Sequence, residues 1–263
     1  MKKAILVVSF GTSYKETIEK TIKVCEDKIK EKLEGYDFFR VFTSNIIIKK
    51  LKERENLNIE NIEEALNRLY KDGYKEVIVQ TLYIICGEEF NKLKNQIDNY
   101  KNKFEKLMLG RPLLTYTEDY EEVIEIIVKQ LPKNSDKEAI VFMGHGTTHQ
   151  SHSTYSILES MLRNININTY IGTIRGYPNI EEAIDKLKSN NIKKVHLVPF
   201  MLTVGKHVIE DMTGDDDKSW KNILKNNGFD VKVNLQGLGE NSYIQDKFTR
   251  HAYDCLSMIS SNI

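Results

Sequence analysis

Net charge is the first thing this sequence lacks. Its 263 residues hold 38 Lys and Arg against 38 Asp and Glu, a formal balance of zero with an isoelectric point near 7. Binders of nucleic acid carry a basic excess, so that class is set aside, and any attraction for a charged ligand has to be local. Cysteine is scarce as well: Cys25, Cys86 and Cys255 are odd in number and form no C-x-x-C. That argues against a disulfide frame or a structural zinc site and for a reducing cytoplasm. No apolar stretch approaches the roughly 18 residues of a membrane span, so no membrane partner is expected. The opening "MKKAILVVSFGTS" imitates an export signal only briefly, because Gly11-Thr12 and a Lys/Glu-rich helical pattern follow where a cleavage site would stand. The expectation is a cytoplasmic protein that keeps this segment as its first strand. A Walker A motif and H-E-x-x-H are absent, "GLGENS" at 237–242 lacks the third glycine of a dinucleotide fingerprint, and "EDMTGDDDKSW" at 210–220 fails the calcium-loop spacing.

What is present is alternation. Short runs rich in Val, Ile and Phe predict strands near 3–9, 37–43, 76–84, 107–110, 139–144, 169–174, 194–201 and 230–235. Charged segments of helical period lie between them, the pattern of an α/β fold with parallel sheets flanked by helices. The second half repeats the first. Residues 61–89, "NIEEALNRLYKDGYKEVIVQTLYIICGEE", align without a gap on 179–207, "NIEEAIDKLKSNNIKKVHLVPFMLTVGKH", at a shift of 118, and "AILVVSFGTS" at 4–13 aligns on "AIVFMGHGTT" at 139–148 at a shift of 135. The first half therefore carries 17 extra residues between the two blocks, assigned to "NIIIKKLKERENLN". Two similar βα domains are expected, 1–130 and 131–263, joined near "KQLPKNSDKE" at 129–138, with a cleft between them lined by the carboxyl ends of the strands.

The repeat selects the residues that would line such a cleft. His145 follows the first strand of the second domain, where the first domain has Phe10; His207 follows its third strand, where the first domain has Glu89. Two flanking glycines, Gly144 and Gly146, serve a tight turn, and they also let a ligand approach the backbone closely. An imidazole, with an ordinary pKa of about 6.5, is suited to bind a metal or accept a proton. Glu89 and His207 each follow a glycine and read equally as ordinary first-turn helix residues; their equivalence is what singles them out. His149 and His152 complete an i, i+4, i+7 spacing with His145, but a glycine turn is no zinc helix. His196 reads as a satisfied core residue, His251 as part of the last helix, and the acidic stretch 210–217 as a solvated loop. Lys49, Lys50, Lys52 and Arg54 form a basic group that is a solvated helix face or a seat for an anionic ligand.

"KKAILVVSFGTSY", "FTSNIIIKKL", "FMGHGT", "GYP" at 176–178, "HVIEDM", "DDDKSW" and "GLGEN" together resemble the sirohydrochlorin cobaltochelatases of the anaerobic cobalamin pathway. The resemblance covers essentially the whole chain. It implies a ferrochelatase-like, two-domain class II chelatase that inserts cobalt(II) into sirohydrochlorin without ATP, the ring and a divalent metal being substrates and no prosthetic group being needed. It implies His145 as proton acceptor and metal ligand, His207 as a second ligand, and Glu89 as an acidic residue serving metal or proton traffic. Iron(II) and nickel(II) suit the same donors. One position departs from the family: where its motif reads G-T-x-E-G-Y-P, with the glutamate a further cobalt ligand, this chain reads "GTIRGYP" and has Arg175. Arg175, Lys206, Lys49 and Lys50 are expected to hold substrate carboxylates. The alternative is a tetrapyrrole or metal carrier that lost turnover through Arg175.

Overall fold

The computed structural model describes residues 1–132, 135–165 and 167–260, apart from the side chains of His207 and of residues 258–260. Of the expected junction at 129–138, residues 133 and 134 lie outside the described ones. By internal contacts the chain divides into two units, Met1–Thr115 with Gly239–Ile263, and Tyr116–Leu238.

The first unit contains β1 (Lys2–Ser9), α1 (Lys15–Thr17) joined by a π-helical turn to α2 (Val24–Lys32), β2 (Asp37–Phe42), α3 (Asn45–Glu55), α4 (Ile62–Lys71), β3 (Tyr74–Thr81), α5 (Glu88–Asp98) and β4 (Lys106–Gly110). Its strands form one parallel sheet in the order β2-β1-β3-β4. The second unit contains α6 (Thr117–Val128), β5 (Glu138–Thr147), α7 (Ser153–Asn164), β6 (Thr169–Gly176), α8 (Ile180–Ser189), β7 (Lys194–Phe200), α9 (Lys206–Thr213), α10 (Trp220–Asn226) and β8 (Asp230–Val233). Here the parallel order is β6-β5-β7-β8, the same topology. The last helix, α11 (Ser242–Ser260), packs on α2, β3 and β4 of the first unit. The expected boundary at 130–131 differs from this division at both ends, since α6 falls with the second unit and α11 with the first.

The duplication is visible in local chemistry. Asn61 caps α4 by accepting from the Glu64 backbone N–H at 3.0 Å, and Asn179 caps α8 by accepting from that of Glu182 at 2.9 Å. Such caps stabilise a helix by about 1 kcal/mol each. α4 buries Ile62, Ala65, Leu66 and Leu69, and α8 buries Ile180, Ala183, Ile184 and Leu187, one apolar stripe at i, i+3, i+4, i+7 in both. Each stripe packs on alternate residues of its sheet's central strand, Ala4, Leu6 and Val8 in one unit and Ala139, Val141 and Met143 in the other. Ile5, Val7, Ile140 and Phe142 between them are equally buried. Strands covered on both faces need a continuous apolar run, which is why "AILVV" and "AIVFM" do not alternate. α3 has no counterpart between β6 and α8, so the 17-residue surplus is this helix and its flanks.

The three cysteines are free thiols. Burial pushes Cys25 and Cys255 up to about 12, so neither supplies a thiolate ligand near neutral pH. No helix among the described residues is long and apolar enough to cross a membrane.

Candidate active site

A sheet of order β6-β5-β7-β8 reverses direction of growth between β5 and β7. Ligands of doubly wound sheets sit outside the carboxyl ends of the strands at such a switch. In the second unit His145 lies near the carboxyl end of β5 and residue 207 lies in the first turn of α9, the element that follows β7, so the two expected ligand positions flank it. The side chain of His207 lies outside the described ones; its backbone is the second residue of α9, which Gly205 caps.

Two close approaches set the position of His145. A Cβ on Gly144 would stand 2.6 Å from Cε1 of Tyr155, and one on Gly146 would stand 1.9 Å from the backbone oxygen of Arg175. Gly146 also has φ +76, a conformation that disfavours other residues. β5 therefore runs on to Thr147, beyond the strand end expected at 144, with Gly146 paired to Arg175 and Thr147 to Gly176. Tyr155 lies beneath the turn and its hydroxyl accepts the Gly146 N–H at 3.3 Å. Burial raises the Tyr155 phenol above its ordinary value, which keeps it neutral in this bracing role. Gly146→Ala is expected to destabilise the protein by about 2 kcal/mol or more, read as a fall in the urea midpoint; an unchanged midpoint would mean that the turn relaxes freely.

The His145 side chain is exposed, and its Nδ1 lies 3.2 Å from the Gly146 carbonyl oxygen. A carbonyl oxygen can only accept, so this contact selects the tautomer with the proton on Nδ1. Nε2 is left with its lone pair pointing away from the backbone, ready for a metal or a proton. Arg175 sits on the adjacent strand β6, exposed, and its backbone oxygen accepts from Thr173 Oγ1 at 3.0 Å. The structure thus brings His145, Arg175 and the backbone of residue 207 to one end of one sheet. Lys206 is there too, with its ammonium 3.6 Å from Glu210.

The first unit carries the remaining expected residues at the matching end of its own sheet. Glu89 is the second residue of α5, capped by Gly87 as α9 is by Gly205. Its Oε1 is 3.0 Å from Nζ of Lys92, which also reaches Glu88 at 2.9 Å. The Glu88 and Glu89 hydrogen bonds raise the Lys92 ammonium well above its ordinary value, so the bridge stays charged. Lys49 and Lys50 lie on α3 after β2; Lys49 is exposed and 3.8 Å from Glu53.

The other histidines are otherwise engaged. His149 caps a 3-10 turn, its Nδ1 accepting the Ser151 N–H at 3.2 Å, and His152 packs edge-on to Tyr177 at 6.2 Å. α7 begins only at Ser153, so 145, 149 and 152 share no helix. His196 bonds Glu138 at 2.9 Å, at the amino end of the sheet, and His251 donates from Nδ1 to the Arg111 carbonyl at 3.2 Å. The acidic stretch 210–217 is tied into its own loop: Asn222 Nδ2 donates to the carbonyls of Gly214, Asp215 and Asp216, and the Asp216 carboxylate accepts the Lys218 N–H at 2.9 Å. Among the described residues no group of three or more His, Cys, Asp and Glu could hold a metal ion. Sequence reasoning missed Tyr155, which no motif marks, and Lys92, whose i, i+3 spacing from Glu89 was available.

The family model described as cobalt chelatase (CbiK) matches residues 3–257. The chain is 39% identical over 258 residues, 98% of both chains, to a sirohydrochlorin cobaltochelatase of Salmonella typhimurium. It is 30% identical over 261 residues, 98% of this chain and 92% of the other, to the sirohydrochlorin cobaltochelatase CbiKC of Nitratidesulfovibrio vulgaris. Among solved structures, SirB from Bacillus subtilis with Fe3+ superposes with a TM-score of 0.68 at 15% identity, over 97% of this chain and 96% of that one. CbiX, described as the terminal enzyme of siroheme biosynthesis in denitrifying bacteria, gives 0.56 at 11% identity, over 96% and 99%. The two structures show the fold, and the two sequence relatives match nearly the whole chain at 39% and 30% identity. The chain belongs to the cobalt chelatase (CbiK) family.

Proposed function

We propose that this protein is a sirohydrochlorin cobaltochelatase: it exchanges two ring protons for cobalt(II) without nucleotide. The family match over residues 3–257 carries the reading. The local geometry supports it, because insertion needs an accessible base that is also a metal donor, and His145 presents its Nε2 at the switch of a doubly wound sheet.

In chemical terms, each of two pyrrole N–H bonds breaks, the electron pair stays on nitrogen and becomes a bond to cobalt, and the proton leaves. His145 Nε2, its lone pair released once the metal has passed to the ring, accepts that proton and, being exposed, returns it to water before the second transfer. Imidazole suits cobalt(II), and a ligand set this small leaves coordination positions open to the incoming ring nitrogens. His207 serves as the second imidazole ligand and Glu89 as a carboxylate in metal or proton traffic. The donor set also accepts iron(II) and nickel(II). Out-of-plane bending of the ring exposes the nitrogen lone pairs, and contacts made best to the bent form lower the barrier to it. Arg175, Lys206, Lys49 and Lys50 supply such contacts to the ring's carboxylates.

Mixing the protein with sirohydrochlorin and Co2+ tests this directly. A catalysed shift of the ring's absorption is the expected result; a bound ring that stays metal-free would make the protein a carrier. Replacing Lys49 and Lys50 together by alanine is expected to raise KM for sirohydrochlorin roughly threefold to tenfold with little change in kcat, since each exposed ion pair contributes about 0.2–1 kcal/mol. An unchanged KM would remove this pair from substrate binding.

A further inference from the structure

β1 buries Ala4 to Val8 almost completely and then presents Phe10, 51% exposed, at its carboxyl end. Single exposed apolar side chains are ordinary. This one is held in place by its surroundings. The backbone oxygens of Ser9 and Phe10 accept from the N–H groups of Thr43 and Ser44 at 3.0 and 3.3 Å. Gly11, at φ +88, lies so close over Phe42 that a Cβ would stand 2.5 Å from its ring. Thr43 is tied in turn to the Tyr83 hydroxyl at 2.7 Å. The turn is thus fixed with its aromatic ring toward solvent, at the point where the order β2-β1-β3-β4 reverses.

Two further observations say what such a surface would meet. Position 10 is the repeat counterpart of His145, and the following glycines, Gly11 and Gly146, share the left-handed conformation, so the same turn offers a base in one unit and an apolar ring in the other. Two residues past Ser44, the second residue of α3 is Ile46, 69% exposed, and Lys49 and Lys50 follow at i+3 and i+4. Those three positions share one helix face, an aliphatic group followed by two ammonium groups. Aromatic and aliphatic surface edged by cations is complementary to a flat conjugated ring rimmed with carboxylates.

We infer that Phe10 and Ile46 form the apolar seat for one face of the tetrapyrrole ring, Lys49 and Lys50 engaging carboxylates at its edge. The inference rests on the chelatase reading above and assigns substrate specificity to residues that neither bind metal nor move protons. Phe10 favours a substrate with a broad conjugated face and leaves the metal side of the reaction untouched.

Titration of metal-free sirohydrochlorin, followed by its absorption, tests this in the parent, Phe10→Ala, Phe10→Tyr and Ile46→Ala. Loss of the aromatic ring is expected to weaken ring binding about tenfold, with Phe10→Tyr within about twofold of the parent and Ile46→Ala intermediate. KM for Co2+ and the melting temperature should stay at parental values in all three. Parent-like ring binding by Phe10→Ala would overturn the inference and leave the chelatase reading intact. Equal losses for ring and metal, or a lowered melting temperature, would also overturn it by showing a merely structural role. A parent protein that binds no sirohydrochlorin would overturn both.

Discussion

His145→Ala is expected to slow cobalt insertion by about two to four orders of magnitude, the range over which a positioned general base accelerates proton transfer. The side chain is exposed and its Nδ1 contact is to its own neighbour's carbonyl, so stability should change by no more than about 0.5 kcal/mol. Binding of metal-free sirohydrochlorin should persist, because the imidazole is asked to act on the N–H protons and the metal rather than on the ring's periphery. The variant therefore separates chemistry from binding. Single-turnover absorbance at saturating ring and Co2+ reads the chemical step, and circular dichroism checks the fold. Added imidazole should recover part of the lost rate, since Gly144, Gly146 and the Tyr155 brace remain to shape the space. Insertion at the parental rate would remove His145 from the mechanism altogether.

The sequence made this position legible because duplication converts one chain into two readings of the same turn. Among the described residues the eight strands match the apolar runs of the sequence, and the shifts of 118 and 135 place the first half's surplus at the segment that holds α3. Helix ownership is not legible in this way. α6 and α11 are amphipathic helices whose period shows that one face is buried but carries no mark of which sheet buries it, so a linear cut at 130 misassigned both. The true end of β5 was hidden for a related reason. Gly144 and Gly146 signal a turn, whereas here they permit a ring and a neighbouring backbone to come close while pairing to β6 continues. His149 kept its metal-like spacing on paper, and a 3-10 turn that uses its Nδ1 as an acceptor takes it out of that role.

Arg175 is where this chain departs from the motif that the resemblance implies, and reversing its charge is expected to have a large effect on the metal. Its Cα is the register partner of Gly146, the residue after His145, and adjacent strands run about 4.8 Å apart; on the proposed reading, which gives position 175 the metal-side role that the resemblance implies, its side chain turns toward a metal held at His145. Unit charges about 6 Å apart at an effective dielectric of 20 interact by about 3 kcal/mol, roughly a hundredfold in affinity. The guanidinium opposes the cation by that order, and a carboxylate would attract it. Arg175→Glu is therefore expected to bind Co2+ about a hundredfold more tightly, with Arg175→Gln between it and the parent, as direct titration would show. The same exchange replaces a partner for substrate carboxylates with a group that repels them, so KM for sirohydrochlorin should rise as the metal constant falls. Opposite movement of the two constants is what places one residue between metal and ring. Should Arg175→Glu hold cobalt no more firmly than the parent, residue 175 does not stand beside the metal. The guanidinium would then serve the substrate alone, and the family's glutamate position would have been put to a different use in this chain.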